Sequence, residues 1–350
     1  MRVGIIASTG KHLDSFFPEI VEQLRSSGLE VFPASGTPTD KMSSDHLAGM
    51  TQSPSLKNLA CVFSLPRWVR QRRLDLVVTN TATASFLARA LLWRVPVVYF
   101  CHGMHWNTGR RPSERIWQAL EWLMLRRTAG VVVINSDDRK WVERHRPRMP
   151  VLFLRSGVGV PETYLNDVVA PPASPPLMIV WAGDFSERKR PAIAVELASV
   201  LKERDVSFNL TMLGDGPLLG AVRDLIRERG MEDCVQAPGR VESILPYLDG
   251  CHVVAHTATW EGLPRVLLEA VARRRNVVAF DVKGVRDVPG VICVTENNVD
   301  ELARKAVEGD TSGDMRTASV LSSRAIADQL GSYLKEFTES TTTNDHGAPS

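Results

Sequence analysis

The sequence predicts an α/β fold of two doubly wound domains facing each other across a cleft, and three observations lead there. The 350 residues exceed what one ordinary core accommodates. Short β-branched runs alternate with longer amphipathic stretches throughout, the pattern of parallel sheets flanked by helices. Residues 168–176 read VVAPPASPP, four prolines in nine residues with no apolar period, and divide the chain into near-equal halves.

In the first half, residues 1–167, strands are expected at RVGIIAS, EVFPAS, LDLVVTN, VPVVYFCH, GVVVINS and VLFLRSG, with helices near 16–26, 83–92 and 114–127. In the second half, residues 177–318, strands are expected at LMIVWAG, FNLTMLG, CVQAPG, HVVAHT, NVVAFD and VICVT, with helices near 192–204, 219–229 and 265–273. A terminal helix is expected over 319–337, and the polar run 338–350 reads as a disordered tail.

Hydrophobic residues make up 44% and charged residues 23%, an ordinary soluble composition. No apolar run reaches the roughly 18–20 residues that span a bilayer. The N-terminal run has no A-x-A cleavage site behind it and reads as a buried strand rather than a signal peptide. Five widely spaced cysteines with no C-x-x-C pair argue against a zinc site or disulfide framework and fit a reducing cytoplasm. Residues 1–170 carry 22 Lys+Arg against 14 Asp+Glu, whereas residues 171–350 carry 20 against 26. The basic half either faces an anionic membrane or phosphorylated acceptor, or simply decorates solvated helices. Nothing suggests nucleic-acid binding.

Ligands of open α/β sheets sit beyond the carboxyl ends of the strands, so the loops after the strands are the places to search. The strongest segment is EGLPRVLLE, residues 261–269, after the apolar strand HVVAHT. Gly262 and Pro264 mark a turn into a helix, with Pro264 expected in its first turn. Amides of Gly262 and Leu263 at such a helix start suit an anion or sugar hydroxyls. Glu269 follows Glu261 by eight residues, roughly 12 Å if the rise is helical throughout. That is comparable with the span from a sugar to a ribose across a diphosphate. The bland alternative is a solvated capping Glu and an unrelated helical one.

After LMIVWAG, Gly183 leads into a basic loop whose Arg188, Lys189 and Arg190 could neutralise a diphosphate. In LGDGP, Gly214 permits close backbone approach to a ligand, or serves only a tight turn. His102, just after VPVVYFC, could donate to a sugar hydroxyl, with His105 a weaker candidate. Gly10 opens the loop STGKH, whose backbone could approach a phosphate or an acceptor. No D-x-D, G-x-S-x-G, H-E-x-x-H or P-loop motif occurs. The segment RRPSERIWQALEWLMLRR, residues 110–127, sets Trp117, Leu120 and Leu125 among arginines and suits an anionic lipid surface or ordinary core packing.

In order and spacing, GDGPLLGAVRDLIRERG, VQAPGR and EGLPRVLLEAVA resemble family 4 of the retaining glycosyltransferases, with the E-x7-E signature at EGLPRVLLE. The resemblance runs over about residues 1–310. In the first half, STGKHLDSFFPEIVEQLRSSGLEV, HGMHWNTG, VVVINSDD and LRSGVGV are similar to bacterial exopolysaccharide and lipopolysaccharide transferases. The resemblance implies the GT-B fold of two Rossmann-like domains, with the terminal helix crossing back to the first. It implies a retaining transfer of a hexose-type sugar from a UDP-sugar, or a GDP-sugar, to a lipid-linked saccharide in surface polysaccharide biosynthesis. The location implied is cytoplasmic, peripheral at the inner face of the plasma membrane, and no metal or other cofactor is expected.

Residue by residue, the resemblance puts Glu269 on the ribose and Glu261, with Gly262 and Leu263, on the donor sugar. It puts Lys189 on the leaving diphosphate, His102 on the donor sugar and Arg240 near the base pocket. Three positions depart from the family pattern: Asp184 stands where the family has Arg, residues 273–276 read RRRN instead of a small-Gly-x-Pro step, and the first loop has one glycine. Arg188 is the candidate substitute for the missing cation. Two alternatives remain: a degenerate sugar-nucleotide-binding scaffold subunit, and a UDP-sugar 2-epimerase of the same architecture.

Overall fold

The computed structural model describes residues 1–107, 109–173, 175–309 and 318–344. Thirteen strands occur among them: β1 Arg2–Ala7, β2 Glu30–Ser35, β3 Asp45–His46, β4 Leu76–Thr79, β5 Val97–Cys101, β6 Gly130–Val133, β7 Val151–Phe153, β8 Leu177–Ala182, β9 Phe208–Leu213, β10 Val235–Gly239, β11 Val253–His256, β12 Asn276–Phe280 and β13 Val291–Val294. All pairings between them are parallel, in two sheets ordered β3-β2-β1-β4-β5-β6-β7 and β10-β9-β8-β11-β12-β13. Twelve strands follow the apolar runs of the sequence. The two-residue β3 has no apolar pattern to announce it; it pairs at the sheet edge with Ala34 and Ser35.

The chain divides into two compact units, Met1–Val158 with the chain from Ser323, and Gly159–Ser322. Each strand order reverses once, between β1 and β4 in the first unit and between β8 and β11 in the second. At the second reversal only Val253–Ile179 and Val254–Val180 pair, so the carboxyl ends of β8 and β11 part beyond them. A crevice at such a switch point is where doubly wound sheets bind ligands. Ile179, Leu210, Val254 and Val278 are wholly or almost wholly buried in the core beneath it.

The proline-rich stretch lies within the second unit, because it is tied down. Arg273 donates to Asn166 O at 2.6 Å and Asp167 O at 2.8 Å, and ion-pairs with Asp249 at 2.7 Å. Arg275 donates to Val169 O at 2.9 Å. His252 Nε2 meets Pro172 O at 2.9 Å. Two of the three arginines of the unusual RRRN run therefore serve as anchors, and both are buried.

The last helix, Ser323–Asn344, packs on helix Pro18–Ser26, and Tyr333 Oη donates to Pro150 O at 2.9 Å, within the first unit. It runs past residue 337, since no Gly or Pro interrupts the chain between Gly331 and Gly347. Of the tail expected to be disordered, residues 345–350 lie outside the described residues.

Candidate active site

The end of β11 and the loops after β8 and β11 carry four side chains that converge. Lys189 Nζ lies 2.5 Å from Glu261 Oε1, and Arg188 Nη1 lies 2.6 Å from Glu261 Oε2. His256, the last residue of β11, places Nε2 3.3 Å from Oε1 of the same carboxylate. Glu261 is 6% exposed. Burial alone would push its carboxyl up, but His256, Lys189 and Arg188 together outweigh that and hold it well below the usual carboxylate range. Burial also pushes His256 below its ordinary value, so at neutral pH it meets Glu261 as an uncharged ring.

Backbone contacts fix these loops. Trp181 Nε1 donates to Thr257 Oγ1 at 2.9 Å, and that hydroxyl reaches Lys189 O at 2.7 Å. Thr259 N donates to Arg188 O at 2.9 Å, and Glu261 N donates to Lys283 O at 2.9 Å. Gly284, at φ +77°, packs against this turn so closely that a Cβ would lie 2.3 Å from Glu261 O and 2.6 Å from Gly262 O. Gly284→Ala is therefore expected to displace the Glu261 turn and to destabilise the chain by about 1–3 kcal/mol, measured by thermal denaturation.

Arg190 departs from expectation. Its left-handed backbone (φ 49°) turns the side chain inward, where it donates to Thr257 O at 2.6 Å, Ala258 O at 2.9 Å and Asn297 Oδ1 at 2.6 Å. It clasps loops together and is not among the cations around Glu261. Arg188 does stand beside Lys189 there, whereas the side chain of Asp184 is exposed.

The helix after Glu261 also differs from expectation. It spans Arg265–Ala272 with Pro264 as an extended N-cap (φ −74°, ψ 108°), so residues 261–264 are not helical. The helical-rise estimate of the distance between Glu261 and Glu269 does not apply, because only half of the interval is helix. Glu269 is 7% exposed and paired within the helix to Arg265 Nε at 2.9 Å. Burial outweighs that cation and raises its carboxyl to about 7.

Three glycines do something other than offer amides to a ligand. Gly183 N is bonded to Leu213 O and Gly214 N to Gly239 O, both at 3.0 Å. A Cβ on Gly214 (φ +132°) would lie 2.0 Å from Gly183 O, so this glycine lets the loops after β8 and β9 touch. Gly10 N is bonded to Thr37 Oγ1 at 2.9 Å, and its Cβ position is filled by Pro38 O at 1.8 Å. The expected approach of the Gly10 backbone to a phosphate is thereby replaced by internal loop packing. Arg240, next to Gly239, is exposed.

In the first unit, His102 stacks on Phe100 (4.5 Å between centroids, 3° apart) and lies 3.5 Å from Asn80 Oδ1. His12 meets its edge at 5.0 Å, and His12 Nε2 is buried with no hydrogen-bond partner among the described residues. Burial holds His102 well below its ordinary value and His12 at about 4, so both rings are neutral at pH 7. Sequence reasoning assigned no role to His12 or His256. The position of His256, last in a buried strand five residues before Glu261, was the available signal. His105 is exposed and lies beside Trp117 instead.

Two family models match the chain. "Glycosyl transferase 4-like domain" covers residues 16–157 and "Glycosyl transferases group 1" covers residues 176–308. The chain belongs to glycosyltransferase family 4. Among relatives of this family-4 chain, EpsF of Bacillus subtilis, named as a glycosyltransferase, is 29% identical over 206 residues, 55% of this chain and 53% of EpsF. The amylovoran biosynthesis glycosyltransferase AmsK of Erwinia amylovora is 30% identical over 121 residues, 32% of this chain and 30% of AmsK. The matched part thus spans about half of EpsF and less of AmsK. Anabaena HepE, solved in complex with UDP, superposes with a TM-score of 0.70 at 19% identity, covering 98% of this chain and all of HepE. The fold is GT-B.

Proposed function

We propose that this chain transfers a sugar from a nucleoside diphosphate donor to a lipid-linked saccharide acceptor in bacterial surface polysaccharide synthesis. The observation that carries the reading is the Glu261–Lys189–Arg188–His256 cluster at the switch point of the second sheet. It joins cations suited to a leaving diphosphate to a carboxylate suited to sugar hydroxyls. The relatives named for polysaccharide biosynthesis and the UDP complex of HepE support the substrate classes. UDP is the nucleotide assigned first, with GDP as the competitor. Glu269 takes the ribose, Gly262 and Leu263 border the donor, Arg240 borders the base, and His102 contacts the donor sugar. Transfer keeps the anomeric configuration and draws on no metal.

A thermal-shift panel of UDP- and GDP-sugars tests the donor, since a bound donor raises stability by mass action. One nucleotide series stabilising the chain, with NMR showing a retained anomer after transfer, is the expected result. Tight donor binding without turnover on any lipid-linked saccharide would favour the scaffold alternative.

The raised carboxyl of Glu269 sets a pH dependence. Ribose hydroxyls donate to the ionised form, so binding competes with a proton held at about 7. Donor affinity is expected to rise roughly tenfold per pH unit below that value and to level off above it. Calorimetry at pH 6 in buffers of different ionisation enthalpy would show release of about 0.9 proton. Glu269→Gln should abolish both effects; an unchanged pH profile in that variant would remove Glu269 from the ribose. In the free chain the sign is opposite. A folded value above the ordinary 4.5 makes Glu269 cost stability as pH rises from there through 7.

A further inference from the structure

Strand β11 is buried on both faces, and such strands are built from apolar residues. Val253, Val254 and Ala255 obey this and are at most 1% exposed. His256 follows them at 2% exposure and is the polar residue of the strand. A buried polar atom is ordinarily hydrogen-bonded. Nε2 of His256 lies 3.3 Å from Glu261 Oε1 without being aligned on it, and has no other hydrogen-bond partner among the described residues. In the sheet His256 stands opposite Ala279 of β12, so it is anchored in a strand rather than in a loop.

In the free chain both oxygens of Glu261 have a cation beside them, Lys189 Nζ at 2.5 Å from Oε1 and Arg188 Nη1 at 2.6 Å from Oε2. Both cations stand in the loop after β8 and are the ones a diphosphate would engage. A phosphate that draws on them weakens the pairing of a carboxylate that stays buried, a state that costs free energy unless another donor steps in. His256 is the neighbour that a phosphate does not draw away. Burial keeps its ring uncharged at neutral pH, so the ring carries one hydrogen. The carboxylate facing Nε2 favours that hydrogen on Nε2, because a bare nitrogen lone pair there would meet an anion. A neutral donor steadies Glu261 without adding a third positive charge to compete for the phosphate.

We propose that His256 is a positioning residue of the transfer site: as the donor diphosphate engages Lys189 and Arg188, His256 Nε2–H takes up Oε1 of Glu261 and keeps that carboxylate on the donor-sugar hydroxyls. This rests on the reading of the cluster as a donor site. His256 itself touches neither the sugar nor the diphosphate. Recognition is thereby divided: the two cations respond to the nucleotide, whereas His256, acting through Glu261, serves the sugar. The property that depends on His256 is the affinity for a sugar nucleotide, and not that for the bare nucleotide left after transfer.

The test is titration calorimetry of the full chain with two pairs of ligands, UDP with UDP-glucose and GDP with GDP-mannose. His256→Leu fills the volume but removes the donor. It should weaken the sugar nucleotide about ten- to a hundredfold, and change the bare nucleotide by no more than about twofold. His256→Gln, which offers an amide donor at similar reach, should restore most of the loss. A mere packing role predicts a Leu variant that matches the parent with both ligands, and a general distortion of the loop predicts equal losses for both; either result would overturn the inference, as would a Gln variant no better than Leu. The parent gives a reading that needs no variant to fold: NMR of the imidazole nitrogens should show the hydrogen of His256 on Nε2 and a stronger hydrogen bond there once UDP or GDP is bound. A hydrogen on Nδ1 would overturn the inference. A parent that binds neither pair overturns the donor-site reading and this inference with it, whereas a parent that binds one pair leaves that reading standing and the variants decide the role of His256 alone.

Discussion

Lys189→Ala is expected to lower turnover roughly a hundred- to a thousandfold, about 3–4 kcal/mol of transition-state stabilisation, while donor KM changes only a few-fold. In the free chain Lys189 is 2.5 Å from Glu261, with its side chain 11% exposed. A cation so placed costs little reorganisation when negative charge develops on a departing diphosphate at the mouth of the β8–β11 crevice. Arg188 stands beside it but is three times as exposed, so solvent screens its charge more and it replaces only part of the loss. The split between kcat and KM carries the argument. A ground-state binding role for Lys189 would raise KM and leave kcat alone, and steady-state kinetics with a saturating acceptor separates the two. Lys189→Arg should recover part of the rate, because a guanidinium keeps the charge but not the geometry. Parent-like kcat in Lys189→Ala would remove the residue from the leaving-group site and, with Arg190 already turned inward, leave Arg188 alone of the three cations expected there.

Glu261→Ala is expected to lower stability by about 3 kcal/mol, because it leaves Lys189 and Arg188 side by side without their shared anion. For a unit of this size that is a fall of roughly 10 °C in Tm. Glu261→Gln, which keeps the shape and an acceptor, should lose less. The stabilisation of the parent also has a pH signature. The folded carboxyl titrates well below its ordinary 4.5. Its contribution is therefore in full force above that value and is lost as pH falls through the folded one. The melting temperature of the parent should drop in acid more steeply than that of Glu261→Gln. UDP provides the cross-check: its diphosphate supplies the anion the variant lacks, so UDP should raise the Tm of Glu261→Ala more than that of the parent. A variant that melts with the parent and responds to UDP identically would mean that the cluster holds neither the loop nor the donor.

The two residues have different tasks in these experiments although they touch. Glu261 positions the cations before any donor arrives. In the proposed reaction Lys189 acts when charge moves onto the diphosphate. Donor entry adds a second anion to a lysine already placed, the sense in which the site is preorganised.

Much of this was legible in the amino-acid order. Twelve of the thirteen strands follow apolar runs that any parallel sheet buried on both faces must have. The ends of HVVAHT and LMIVWAG mark the two loops that carry the site, because loops after parallel strands are where the backbone leaves the sheet. The spacing of Glu261 and Glu269, with Pro264 between, announced a turn into a helix. It did not reveal that the helix waits until Arg265, since an extended proline cap and a first-turn proline look alike as letters.

What the sequence by itself determined is therefore the alternation of strands and helices, the family, and the segments from which a site is built. Which side chains meet was decided by the tertiary structure. His256, Lys189 and Arg188 reach Glu261 because β8 and β11 are neighbours at the switch point, an adjacency that depends on strand order rather than on local pattern. Arg190 differs from Lys189 by one position and by a left-handed backbone, and that alone sends its charge inward. Arg273 and Arg275, which read as a departure from a motif, became buried anchors once residues 164–172 came within reach. Helix Pro112–Met124 has an apolar face that core packing and a lipid surface would explain equally well. The Arg89–Glu121 pair turns that face outward, so it is not core packing. In each case the physical reason is the same: a charge is read from one residue, but its partner and its burial depend on chain far away in sequence.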